Sequence, residues 1–208
     1  ITRHSFSFGA HYDPANTHFG LLLAHNEEIV AAGGGYDSHP HRDIEIVTWV
    51  VEGVLAHQDA AGHAQLLYPG SAQRVSAGTG IVHSERNAAT EPDGPAVRFV
   101  QMWVLPDSYG GEPGYEQADF STALDAGDVV VVASGLSKHA TGRALGLGQR
   151  DAALYAARLR PGRLTLLPDA PFVHVFVVTG SVRLEGAGDL RTGDAARIVT
   201  SGGRRIVA

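Results

Sequence analysis

Two short clusters hold the residues whose types and spacing could do chemistry. The first runs Gly33-Gly34-Gly35-Tyr36-Asp37-Ser38-His39-Pro40-His41-Arg42-Asp43-Ile44-Glu45, and the second runs Gly78-Thr79-Gly80-Ile81-Val82-His83-Ser84-Glu85-Arg86-Asn87. On an extended strand, residues i and i+2 project from the same face. His39 and His41 therefore converge, as do His83 and Glu85. Three imidazoles and one carboxylate make a donor set suited to a divalent transition metal. Glu45 shares the parity of His39 and His41 and is a second candidate for the carboxylate. An ion that prefers six ligands keeps two positions open on such a set, and nitrogen and oxygen donors without sulfur suit Fe(II), Mn, Co, Ni, Cu or Zn. The donor types do not choose among these ions, although the affinity order of divalent metals favours Cu.

The elements that must position these residues read as strands. Alternating or β-branched runs bounded by turn residues predict strands at 20–25, 44–51, 54–57, 65–67, 72–75 and 97–104. Further strands are predicted at 128–134, 152–159, 163–167, 173–179, 182–185 and 196–200. Residues 31–38 read as a glycine-rich loop, and 106–118, rich in Gly, Pro and charge, as a linker or crossing loop. Clean helical periodicity with caps is absent. Short strands separated by regular turns predict an all-β fold.

An internal echo sharpens that expectation. Thr48-Trp49-Val50-Val51-Glu52-Gly53-Val54-Leu55 returns as Val175-Phe176-Val177-Val178-Thr179-Gly180-Ser181-Val182. Leu67-Tyr68-Pro69-Gly70-Ser71-Ala72-Gln73-Arg74-Val75 returns as Leu190-Arg191-Thr192-Gly193-Asp194-Ala195-Ala196-Arg197-Ile198. Two antiparallel β-barrels of one kind in tandem are expected: residues 1–118, carrying the metal site and the linker 106–118, and residues 119–208. Carried through the echo, His39, His41 and Glu45 fall on Leu166, Pro168 and Phe172, and His83 falls near Ile206. The second barrel keeps the scaffold without the ligands, so one metal per chain is expected.

Composition narrows the function classes. The chain has 208 residues, a formal net charge of −6, eleven histidines and no cysteine. Disulfides and thiolate metal sites are excluded, and the acidic balance argues against direct nucleic-acid binding. No apolar run is long enough to span a membrane. No charged-then-apolar leader is visible, so a cytoplasmic protein is expected. No nucleophile triad, P-loop or Rossmann glycine turn is present. The other histidines read as ordinary: His57 as a satisfied strand residue, His63 in a turn, and His4, His11, His18 and His25 at surfaces or edges. Trp49 and Trp103 read as core anchors.

Gly33, then His39-Pro40-His41 and Glu45, looks like the first cupin motif, and Gly70 through Gly78, Gly80 and His83 to Asn87 looks like the second. The wording His39-Pro40-His41-Arg42-Asp43-Ile44-Glu45, with Ser76-Ala77-Gly78-Thr79-Gly80-Ile81-Val82-His83-Ser84-Glu85, resembles the pirin family. The resemblance is strong over residues 18–105 and mainly architectural over 119–208. It implies a bicupin, two tandem double-stranded β-helix (jelly-roll) barrels with a metal in the first only. It points to Glu85 as the fourth ligand beside His39, His41 and His83, with Fe(II) as the metal. Glu45 then becomes a candidate base or a carboxylate that orients a metal-bound imidazole. The chain resembles the compact bacterial members, some of which act as quercetin 2,3-dioxygenases, and this implies a flavonol and dioxygen as substrates and Glu85 or Glu45 as the base. The same resemblance carries a rival reading. Eukaryotic pirins are regulatory proteins whose metal state alters binding to a transcription factor, and some bacterial pirins bind metabolic enzymes, so a non-enzymatic protein partner is the alternative.

Overall fold

Period-two burial is what turns the sequence into sheets. In the computed structural model, which describes residues 1–200 and 202–208, almost all regular structure is strand. The first strands are β1 (Thr2–His4), β2 (Leu22–Val30), β3 (Gly35–His41), β4 (Glu45–Glu52) and β5 (Leu55–Asp59). They are followed by β6 (Ala64–Leu67), β7 (Ser71–Ser76), β8 (Ile81–Asn87), β9 (Val97–Val104) and β10 (Gly114–Asp119). Strands β1-β2-β9-β4-β7-β10 form one antiparallel sheet, and β3-β8-β5-β6 form another. Helix is confined to short pieces at Ser121–Asp125 and Ser137–His139. No helix among the described residues is long and apolar enough to cross a membrane.

Two apolar clusters bracket a polar belt in the interior of these sheets. One cluster is Val50, Leu55, Leu67, Val97 and Phe99. The other is Ile44, Ile46, Val75, Ala77 and Ile81, with Trp103 and Tyr115 packed against it. Burying each such side chain contributes roughly 1.5–3 kcal/mol. Between the clusters the same inward parity brings Thr48 of β4, Gln73 of β7, His83 and Glu85 of β8, and His57 of β5, all buried. Half-buried Gln101 of β9 joins them.

Two compact units make up the chain: Ile1–Leu124 with Val129–Ala156, and Asp125–Asp128 with Ala157–Ala208. Residues 129–156 therefore pack with the first unit, not with the second as a boundary after 118 would have it. Nor is 106–118 a free linker, because β10 within it pairs with β7 from Gly114↔Ser76 to Asp119↔Ser71. The glycine-rich stretch 31–38 is also partly strand, since β3 starts at Gly35.

The second unit repeats the first in miniature. Its four-stranded sheet runs Leu164–Leu166, Arg205–Val207, Ser181–Leu184, Gly188–Arg191, the same order as β3-β8-β5-β6. Its remaining pair, Phe172–Phe176 with Ala195–Val199, matches β4 with β7. One hydrogen bond recurs as well. Gly70 N–H donates to Val50 O at 3.0 Å, and Gly193 N–H donates to Val177 O at 2.8 Å. Both glycines hold a left-handed backbone, with φ of 88° and 87°. The fold is thus a bicupin. Among the described residues neither unit closes into a continuous hydrogen-bonded cylinder, because the ladders stop at the edges of separate sheets. Where the first unit carries histidines, the second carries apolar side chains, with Ile206 buried against Leu184 and Ile198.

Candidate metal centre

Strands β3 and β8 build the centre. They run antiparallel with His39 opposite His83 and His41 opposite Ile81, after a register shift between Tyr36 and His39. The rings form a near-equilateral triangle, with centroids 4.8 Å apart for His39–His41, 4.6 Å for His39–His83 and 4.9 Å for His41–His83. One nitrogen from each of the three lies within 4.8 Å of the others. The expected convergence of His39, His41 and His83 is therefore what the backbone delivers.

Two of the imidazoles, His41 and His83, are pushed toward the neutral form that ligates metal. Burial pushes His83 down to about 3, helped by repulsion from His39 and His41. Burial, with His39 adding to it, pushes His41 down to about 4. The His39 Nδ1–H donates to the Asp37 carbonyl at 2.7 Å, because a carbonyl only accepts, so Nε2 is the nitrogen left to ligate. His83 is 1% exposed, and neither of its ring nitrogens has a hydrogen-bond partner among the described residues. Such an orphan costs about 1–3 kcal/mol unless something fills it.

Glu85 lies two residues along β8 and is fully inside the protein. Its Oε1 accepts from the Gln73 side-chain amide at 2.7 Å and from Thr48 Oγ1 at 3.2 Å, and its Oε2 accepts from Gln101 at 2.7 Å. Gln101 in turn accepts from the Trp103 indole at 3.1 Å. Burial pushes the Glu85 carboxyl above the usual carboxylate range, against the opposing hydrogen bonds from Gln101 and Thr48. Trp103 meets His41 edge-on at 5.1 Å, Phe8 meets Trp103 at 5.1 Å, and Tyr36 meets His39 at 6.3 Å.

Comparison with known proteins follows this geometry. A family model described as Pirin matches residues 1–104. A Mycobacterium tuberculosis protein, provisionally named a quercetin 2,3-dioxygenase, is 51% identical over 208 residues, covering 100% of this chain and 83% of that protein. The chain belongs to the pirin family. Among other pirin relatives, Escherichia coli quercetin 2,3-dioxygenase is 36% identical over 192 residues, covering 88% of this chain and 76% of that protein. The crystal structure of the bacterial pirin YhhW from Escherichia coli in complex with nickel(II) superposes with a TM-score of 0.88 at 33% identity. That match covers 100% of this chain and 86% of that one.

The residues present in this pirin chain fit a divalent metal. Three imidazoles face one another, His83 is orphaned, and a buried carboxylate stands beside it. Glu45 is not part of this group. Its Oε2 accepts from Ser76 Oγ at 2.9 Å and from the Gly148 N–H at 3.1 Å. The parity that linked it to His39 and His41 is broken at Asp43, whose φ of 52° turns the chain between β3 and β4. On β4, Thr48 faces Glu85, so Glu45, at the opposite parity, projects from the other face. That removes Glu45 both as a base and as a partner of the imidazoles.

Sequence reasoning took His57 as a satisfied strand residue and did not single out several other parts of the centre. His57 is buried, its ring centroid 5.4 Å from that of His83, and a donor atom from each of His57, His83 and Glu85 lies within 4.8 Å of the others. Thr48, Gln73, Gln101, Asp59 and Tyr115 also surround the pirin centre. The available signal was a polar residue at inward parity within an apolar strand, as in Ile46-Val47-Thr48-Trp49-Val50 and Phe99-Val100-Gln101-Met102-Trp103. His25 is buried as well, not on the surface.

Proposed function

We propose that this chain is a metal-dependent dioxygenase that opens the central ring of a flavonol such as quercetin. In this reading His39, His41, His83 and Glu85 hold one divalent transition metal, taken as Fe(II). The observation that carries it is the triangle of imidazoles that includes an orphaned His83, with Glu85 beside it. The quercetin 2,3-dioxygenase names borne by relatives and the nickel(II) held by YhhW support it.

When bound, the metal would acidify a coordinated hydroxyl and offer an open position to dioxygen. The chain's own residues do the rest. Gln73, Thr48 and Gln101 pin both oxygens of Glu85, so the carboxylate does not need to reorganise during turnover. Glu85, the buried carboxylate beside the imidazoles, is the group that takes the flavonol hydroxyl proton. Trp103, Phe8 and Tyr36 provide flat apolar faces that orient an aromatic substrate and exclude water. Overall, the two ring carbons flanking the hydroxyl-bearing carbon each gain one atom of dioxygen. The carbon between them leaves with its own oxygen as carbon monoxide.

The test is an oxygen electrode with iron-loaded protein and quercetin, with carbon monoxide trapped in parallel. Equimolar oxygen uptake and carbon monoxide release are expected. No uptake above that of free iron, across several flavonols, overturns the dioxygenase and favours the metal-dependent binding protein.

A further inference from the structure

The aromatic wall beside the centre does not end at Trp103. His4 of β1 lies opposite Asn26 of β2, Asn26 opposite Gln101 of β9, and Gln101 opposite Thr48 of β4. Residues directly opposite one another across paired strands project from the same face of a sheet. His4 therefore shares the face on which Gln101 and Thr48 hold Glu85. Its Nδ1 lies 2.9 Å from Asn26 Oδ1. An amide oxygen only accepts, so Nδ1 carries the proton and Nε2 is the nitrogen left to accept.

A row of rings leads from the imidazole triangle to this histidine. Trp103 stands edge-on to His41 and Phe8 edge-on to Trp103, each with centroids 5.1 Å apart. His4 stacks on Phe8 at 5.2 Å, and His11 follows at 5.6 Å from His4. Trp103, Phe8 and His4 are half-buried and His11 is exposed, so the row runs outward to solvent. The turn that ends it is braced. Phe8 and His11 exchange backbone hydrogen bonds of 2.9 and 3.0 Å, and Gly9 between them holds a left-handed φ of 56°. Ser7 Oγ donates to the Asp13 carbonyl and accepts from the Asp13 N–H, both at 2.8 Å, and the Asn16 amide donates to Ser5 O at 3.2 Å. Rings fixed in a row and open on one side offer a preorganised surface to a flat ligand.

We propose that His4 and the Phe8–His11 turn determine which flavonol the site takes. The proposal rests on the flavonol reading above and concerns the outlying phenyl ring, the part of the ligand farthest from the reacting carbons. Phe8 packs on the face of that ring. His4 Nε2 accepts a hydrogen bond from one of its hydroxyls, and His11 meets the adjacent hydroxyl. A flavonol whose outlying ring carries two adjacent hydroxyls is thereby preferred over one whose ring is bare. His4 is half-buried and His11 exposed, so the preference is about tenfold, well short of the discrimination a fully buried polar pocket gives.

The test is equilibrium binding of quercetin and of galangin, which lacks only the two outlying hydroxyls. Both are titrated into the iron(II)-loaded full chain under nitrogen and followed by the flavonol's own absorption band, so that no turnover intervenes. The parent is expected to bind quercetin about tenfold tighter than galangin. His4→Phe keeps a ring on Phe8 but removes the acceptor, and it is expected to erase most of that preference. His11→Phe is expected to reduce it by about threefold. Its exposed side chain supports no core, so it carries the test if His4→Phe does not fold. Phe8→Ala is expected to weaken both flavonols by similar factors. Equal binding of the two flavonols to the parent, or an undiminished preference in a folded histidine variant, overturns the role of His4 and the turn and leaves the flavonol reading standing. Failure of both flavonols to bind the parent overturns the two together. Preferential binding without oxygen uptake in air keeps the role of His4 and the turn and removes the dioxygenase.

Discussion

His39 and His83 face one another across the β3–β8 ladder with their ring centroids 4.6 Å apart. A cross-strand pair at that spacing brings ligands together only while the two strands stay paired, so the sheet itself sets the site. The matching pair in the second unit, Leu166↔Arg205 beside Thr165↔Ile206, carries no imidazole. One tight metal per chain is therefore expected. Elemental analysis after loading checks it, and two equivalents would contradict it. His39→Ala should empty the site and cost less than about 1 kcal/mol of folding stability, since His39 contributes little to the core.

Glu85 and Glu45 separate by readout. Glu85→Gln removes the charged donor and should weaken metal binding by at least about tenfold, with flavonol-dependent oxygen uptake lost. Glu45→Ala should leave metal content unchanged. It deprives Ser76 and the Gly148 N–H of their acceptor and should cost about 1–3 kcal/mol in denaturant titration. The reverse pattern, with metal lost in the Glu45 variant and kept in the Glu85 variant, would reverse the assignment.

Much of this architecture was legible because it rests on local rules. Val97–Val104 is the predicted strand residue for residue, and the Gly70 and Gly193 turns were visible as repeated wording before their shared hydrogen bond was seen. His39, His41 and His83 were legible from strand parity together with the spacing of the two motifs. The misreadings share a cause, which is pairing between segments distant in sequence. Gly35 and β10 look like loop until β8 and β7 are laid beside them. Glu45 was misplaced because parity does not survive the left-handed turn at Asp43. His57 was read as an ordinary strand residue because a sequence does not show which ring nitrogens find partners; the structure gives Nε2 a partner in Asp59 and leaves Nδ1 without one among the described residues.

Acid should destabilise the metal-free protein through its buried histidines. Burial lowers His25 and His41 to about 4 and His83 to about 3. Unfolded histidines titrate near their ordinary value of about 6.5. Between those values the unfolded chain binds more protons, so stability is full above about pH 6.5 and falls as the pH drops toward about 4. For His25 alone the loss is roughly 3 kcal/mol over that window. Denaturant titrations at stepped pH check this. His25→Gln, which removes none of the candidate ligands, should flatten the slope by about one proton, and an unchanged slope would refute it.

Gly35 locks β3 onto β8 and should be the most sensitive backbone position near the centre. Its φ is 150°, a region that side chains rarely adopt, and an added Cβ would meet Arg86 Cα and Glu85 O, each at 2.5 Å. Those are backbone atoms of the strand that carries His83 and Glu85, and they cannot move without taking the ligands with them. Gly35→Ala should therefore cost about 1–3 kcal/mol for the backbone conformation alone, with the clash adding to it. It should also weaken metal binding by displacing His39 from His83, although it removes no donor. The matching control is Gly33→Ala. Gly33 also has a positive φ, 69°, but has open space where its Cβ would go. It should lose stability by about 1 kcal/mol or somewhat more with metal affinity intact. Equal metal affinity in both variants, measured by chelator competition, would show that the pairing at Gly35 does not hold the centre together.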